Sequence, residues 1–133
     1  MNKLIIRNMF FTITITVFLV GCSKQVAVSG KVSYKDGSPV QIGQVVFSDG
    51  KYDFRGQIDK EGNYKLGGNY EGDGILPGQY SVFLIDTIEI VMDDKGDTKQ
   101  IRLVSDKYTA PETSEITCEV KGKMVFDFTV ERP

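Results

Sequence analysis

The stretch VSGKVSYKDGSPVQIGQVVF, residues 28–47, decides how the chain is read. Val28, Val32 and Tyr34 share one parity with Val26 upstream, the alternation of a strand with one buried face. Lys35-Asp36-Gly37-Ser38-Pro39 breaks the run with an Asp-Gly turn, after which Val45 and Phe47 resume it. The segment therefore predicts strand, turn and strand.

The same pattern continues toward the C-terminus. Ser48-Asp49-Gly50 stops the second strand; Tyr52, Phe54 and Ile58 lead to the turn Asp59-Lys60-Glu61-Gly62-Asn63, and Tyr64 and Leu66 follow. A glycine-rich passage from Gly67 to Gly74 ends at Pro77-Gly78. Tyr80, Val82 and Leu84 then open a run apolar on both faces, which predicts a central strand. Residues 86–104 predict an inserted hairpin, with Ile88 and Ile90 on one arm, Ile101 and Leu103 on the other, and Asp94-Lys95-Gly96-Asp97 at the tip. After an irregular crossing from Ser105 to Glu115 come strands over 116–120 and 123–130, joined by a tight Lys121-Gly122 turn, with Met124, Phe126, Phe128 and Val130 facing inward. Beyond the first residues no long segment has helical periodicity. The spacing predicts an all-β chain, a single Ig-like β-sandwich of about seven to eight strands.

Turn chemistry explains many individual residues without any function. Gly37, Gly50, Gly62, Gly78 and Gly122 are read as positions where positive φ favours glycine, and Pro39 and Pro77 pre-set turn geometry. Tyr34, Tyr64 and Tyr80 combine a large apolar body with a hydroxyl able to reach a backbone at the sandwich corners.

Three segments carry a family resemblance. VSGKVSYKDGSPVQIGQVVF (28–47), GQIDKEGNYKL (56–66) and GDGILPGQYSVFL (72–84) resemble the carboxypeptidase regulatory-like, transthyretin-like domain, with its first hairpin around Asp-Gly, its Asp-x-x-Gly-x-Tyr turn and its Pro-Gly-x-Tyr entry to a core strand. The tail DKYTAPETSEITCEVKGKMVFDF (106–128) resembles short single-domain lipoproteins of planctomycete-like bacteria. Ile75-Leu76 precedes Pro77 where Leu-Pro is common in the family, and Met124 stands where Asn is usual. The resemblance implies a β-sandwich over 26–133.

The N-terminus has three zones: Lys3 and Arg7, the apolar and threonine-containing run Met9 to Val20, and a small Gly21 before Cys22. This is the organisation of a helical signal peptide. A helix of this run would cover about 18 Å, short of the roughly 30 Å hydrocarbon layer, so a permanent transmembrane helix is not expected. Leu19-Val20-Gly21-Cys22 resembles the lipobox of bacterial lipoproteins. The resemblance implies residues 1–21 as a lipoprotein signal peptide cut between Gly21 and Cys22, acyl chains such as palmitate at Cys22, and residues 22–25 as lipidated cysteine and tether. Durable anchoring takes two or more chains, because one holds only marginally. Ser23 after the cysteine resembles an outer-membrane destination in Gram-negative bacteria; the expected location is the cell envelope.

Composition removes several classes of function. Without Lys3 and Arg7 the formal net charge moves from −2 to −4, and no basic cluster appears, so nucleic acid is not an expected partner. The chain has no histidine, the commonest general base and metal ligand at neutral pH. Transthyretin-like folds include hydroxyisourate hydrolase, whose site resembles a histidine pair with an arginine and a C-terminal Tyr-Arg-Gly-Ser; this chain ends Val-Glu-Arg-Pro. No enzymatic activity and no cofactor are expected.

Four constellations remain. Cys118 shares a strand face with Ile116 and Val120 and reads as a buried thiol or as a reactive or intermolecular cysteine. Lys31 and Asp127 suit the ends of an intramolecular isopeptide bond, but both have outward parity. Asp93, Asp94 and Asp97 are calcium candidates, or else a solvated tip that blunts a strand edge. Lys107, Tyr108 and Glu112, in the segment KYTAPETS, read as a partner surface or as an ordered crossover with Tyr108 plugging the core. The expected partners are the membrane, through the lipid, and an unidentified envelope protein or glycan. The expected function is a non-catalytic structural or interaction module, with a calcium- or small-ligand-binding accessory protein as the alternative.

Overall fold

Strand β1 (Val28–Tyr34) buries alternate residues, Val28, Gly30, Val32 and Tyr34, and anchors one of two facing sheets. A computed structural model gives the fold of residues 24–133; the apolar run, Gly21, Cys22 and Ser23 lie outside the described residues. β1 pairs antiparallel with β4 (Asn63–Lys65) on one side. On the other it pairs in parallel with β9 (Met124–Val125) and β10 (Phe128–Val130). The second sheet has the order β3 (Asp53–Gln57), β2 (Gln44–Ser48), β5 (Gly78–Ile85), β8 (Ile116–Val120), all antiparallel. These eight strands form the sandwich. β6 (Ile88–Met92) and β7 (Thr98–Arg102) form a separate two-stranded hairpin.

The core lies where the alternating faces meet. Val32, Val45, Phe47, Leu66, Val82, Leu84 and Val130 are fully buried, and Phe47, Phe54 and Tyr80 stack edge-on or tilted at ring-centroid distances of 5.9 Å. β5 is central and buries Val82, Phe83 and Leu84 in succession, as its two-faced apolar run predicts. Three of the core tyrosines give their hydroxyl to a backbone carbonyl: Tyr34 to Leu103 at 2.8 Å, Tyr80 to Leu76 at 2.6 Å, and Tyr64 to Phe126. Burial pushes all three phenols above their ordinary pKa, so they stay protonated donors. Among the described residues no buried side-chain nitrogen or oxygen lacks a partner.

Aspartates hold the turns. Asp36 accepts the Ser38 N–H, Asp49 those of Lys51 and Tyr52, and Asp59 those of Glu61 and Asn63, each at 2.7–3.0 Å. This is the Asx-turn habit of aspartate, by which the acidic residues of the loops become part of the fold.

The structure corrects three details of the sequence reading. Residues 116–120 and 123–130 do not pair with each other: β8 joins β5, while the chain after Lys121-Gly122 crosses to the other sheet and runs parallel to β1. Phe126 and Phe128 then pack on the core from the sheet opposite Cys118 and Val120, closing both sheets with one chain segment. Gly122 consequently is not at positive φ, unlike Gly37, Gly50 and Gly62. Tyr52 precedes β3 and is exposed, not part of its inward row.

One ladder irregularity involves Gly30. The register is the same on either side of it, Ser29 opposite Val125 and Val32 opposite Phe128, so no residue is inserted. A regular parallel ladder would send the Lys31 N–H to the Phe126 carbonyl. Instead the Asp127 carboxylate accepts that N–H at 2.8 Å, and the Phe126 carbonyl turns inward to the Tyr64 hydroxyl. The carbonyl passes beneath Gly30, where a Cβ would stand 1.9 Å from its oxygen. Glycine is required by that approach.

Candidate functional site

The two ends of the sandwich differ. Val26 and Ile75 exchange backbone hydrogen bonds of 2.8 and 2.9 Å, and Val26 lies four positions along the chain from Cys22. β1 and β5 both run away from that end, and the hairpin rises from the opposite end, where Leu103 bonds Thr87. Asp86, at φ 55°, takes the left-handed conformation that turns the chain out of β5 into the hairpin.

The hairpin presents apolar side chains to solvent. Ile88, Ile90 and Met92 lie on one face, opposite Arg102, Gln100 and Thr98, and Ile90 and Met92 are 67% and 74% exposed. Its tip is organised by Asp93, whose carboxylate accepts the Lys95 and Asp97 N–H groups at 2.9 Å. Asp93 is thus engaged in a turn, and among the described residues no three acidic or cysteine side chains are grouped as metal ligands. The structure does not gather Asp93, Asp94 and Asp97 into a calcium site.

Lys107, Tyr108 and Glu112 do not form one surface. Tyr108 is buried, on a single 3₁₀ turn over Asp106–Thr109, and plugs the core under β5. Lys107 lies over the Tyr108 ring, 4.9 Å from its centre, and 3.4 Å from Glu131. Its interaction with the Tyr108 side chain, with the charge of Glu131, raises its pKa. Glu112 faces a different depression beside Asp49 and Pro111. The Thr113 hydroxyl donates to the Lys107 carbonyl at 2.8 Å, which ties the crossover together. The segment is an ordered crossover, not a shared patch, because packing takes the aromatic ring inward.

Cys118 is buried, and desolvation raises its thiol pKa, which disfavours the thiolate needed for nucleophilic attack. Lys31 and Asp127 border a broad open groove of about 820 Å³ on the outer face of β1 and β4. The Lys31 side chain is exposed and Asp127 is held by the Lys31 backbone N–H, so the buried amine–carboxyl pair of an isopeptide bond is not formed. Cys22 and Gly21, the lipid-attachment and cleavage candidates, lie outside the described residues.

The glycine-rich passage 67–74 holds a feature that sequence reasoning missed. Asp73 accepts the Gly68, Asn69 and Tyr70 N–H groups at 2.8, 3.3 and 3.2 Å, bonds that hold its carboxyl below the usual range against the upward pull of desolvation. An aspartate closing a run of Gly-Gly-Asn-Tyr was the available signal.

These elements define an all-β sandwich with an appended hairpin. No protein-family model matches the chain, and no curated protein matches it. Among solved structures it is similar to a DUF3823 family protein from Bacteroides ovatus, with 17% identity, 81% of this chain and 45% of that chain covered, and a TM-score of 0.49. It is also similar to the Bacillus anthracis TIE protein, with 14% identity, 82% of this chain and 17% of that chain covered, and a TM-score of 0.45. The chain thus spans less than half the length of either.

Proposed function

We propose that the protein is a bacterial lipoprotein, held at a membrane by acyl groups on Cys22, whose non-catalytic β-sandwich serves as a structural or protein/glycan-interaction module of the cell envelope. The observation that carries this reading is Leu19-Val20-Gly21-Cys22 at the end of an apolar run, four positions before Val26, which pairs with Ile75. The tether from Cys22 to Val26 spans about 13–14 Å at full extension, so the domain works close to the membrane. Strand β1 carries the chain roughly 20 Å away from that end, and the hairpin extends farther. The hairpin is therefore the part of the domain most remote from the anchor. A chain without histidine, whose Cys118 is buried, supports a binding role rather than catalysis.

Expression of the intact chain and of Cys22→Ala, with labelled palmitate and membrane fractionation, tests the anchor. The intact chain is expected in the membrane fraction with label. The variant is expected to lose the label and leave that fraction. A variant still membrane-bound would overturn the lipid reading.

A further inference from the structure

We propose that the groove between the outer end of β3 and the 67–73 loop is a binding site for a neutral carbohydrate chain. Tyr70 is 80% exposed, yet it sits on a loop tied by side-chain and backbone hydrogen bonds. Asp73 gathers three successive N–H groups of that loop, and Gly67 lets the Tyr70 carbonyl approach to where a Cβ would lie 1.7 Å away. The Asp73 N–H returns to the Tyr70 carbonyl at 3.3 Å. A hydrogen-bonded loop holding a phenol ring toward water gains nothing for the core, because the ring buries little there.

Beside the ring is a shallow groove of about 190 Å³ lined by Gln44, Arg55, Gln57 and Asn69, with Glu71 at its edge. The Gln44 amide donates to Asp86 at 3.2 Å and the Gln57 amide to the Gly43 carbonyl at 3.0 Å, which orients both. Their carbonyl oxygens, and the whole Asn69 amide, have no hydrogen-bond partner among the described residues. Arg55 and Glu71 are in no ion pair with a described residue. Donors and acceptors are thus mixed and the two charges offset each other. That lining suits hydroxyl groups, which donate and accept alike, and not a phosphate or a polyanion, which would require an excess of donors. The aromatic face offers the flat apolar surface that the C–H face of a pyranose covers. An open groove with a single ring suits a sugar chain lying across it.

The inference rests on the domain being an interaction module, but not on the lipid anchor. The test is native affinity electrophoresis of the full-length protein, in a polyoxyethylene detergent without a sugar headgroup, through gels containing soluble starch, dextran, xyloglucan, galactomannan or glycol chitin, with alginate and heparin as polyanion controls. Retardation by at least one neutral polysaccharide is expected. Tyr70→Ala and Arg55→Ala should each weaken it about tenfold or more, the scale of losing a stacking surface or a charged hydrogen bond. Tyr52→Ala, which removes another exposed ring away from the groove, should leave it unchanged. Cys22→Ala should keep the retardation whether or not the protein leaves the membrane, so the two readings fail separately. Retardation by none of the neutral polymers, by the polyanions alone, or equally in Tyr70→Ala, would overturn the proposal.

Discussion

Replacing Gly30 with alanine should destabilise the domain more than its chemistry suggests. The added methyl group would meet the Phe126 carbonyl oxygen at 1.9 Å and its carbon at 2.6 Å, both backbone atoms, so no side-chain rotation relieves the contact. Residue 126 must move by more than an ångström. That movement strains the Phe126 N–H bond to Ser29, the Lys31 N–H bond to Asp127 and the Tyr64 hydroxyl bond. Overpacking costs about 1–3 kcal/mol, and losing two of these three hydrogen bonds about 1 kcal/mol each. A total of about 3–5 kcal/mol follows, a large share of the roughly 5–15 kcal/mol that holds an ordinary domain folded. Thermal and urea unfolding followed by circular dichroism should show a fall in Tm of at least about 12 °C. Gly122→Ala is the matched control, since nothing lies within 4 Å of its added methyl and its φ is not positive. Tyr64→Phe should cost about 1–3 kcal/mol by leaving the Phe126 carbonyl without its donor, and less in the Gly30→Ala background, where that carbonyl has already moved. A Gly30→Ala protein melting within about 3 °C of the parent would refute the inward-turned carbonyl.

Cys118 should resist an aromatic disulfide reagent in the native protein and react fully in denaturant; rapid native labelling would contradict its burial. Asp36 has its pKa lowered to about 2, chiefly by the hydroxyl and N–H of Ser38 and then by Arg132. A carboxylate depressed in the folded state contributes stability above its unfolded pKa, near 4, and that contribution is lost as pH falls toward 2. Asp49, Asp73 and Glu131 are shifted the same way, so urea midpoints should fall below pH 4, and Asp36→Asn should flatten part of that slope. Ile90→Lys and Met92→Lys on the exposed hairpin face should change stability by no more than about 0.5 kcal/mol; a larger loss on unfolding would mean that these side chains are covered.

The alternation of Val28, Val32 and Tyr34, and of the later apolar rows, was legible because a half-buried strand writes its period into the sequence. The central place of β5 was legible for the same reason, since both of its faces are apolar. For 107–112 the sequence left two readings open, and the structure shows the crossover with Tyr108 in the core. Lys107, Tyr108 and Glu112 are near in sequence, but a 3₁₀ turn sends the ring inward, while Lys107 meets Glu131 and Glu112 lines a depression with Asp49 and Pro111. The Tyr70 groove was hidden because its parts come from residues 44, 55, 57 and 69–71, which meet only when β2, β3 and the loop are in place.

By itself the sequence determined an all-β chain, its turns and most of the core residues, because periodicity and turn chemistry are local properties. Only the tertiary structure decided that residues 123–130 run parallel to β1 instead of folding back on β8. Parity places a side chain in or out but does not choose a partner strand. That choice depends on which edge is open and on whether a backbone can pass there. At Gly30 the absence of a side chain leaves room for the Phe126 carbonyl, with Tyr64 positioned to receive it.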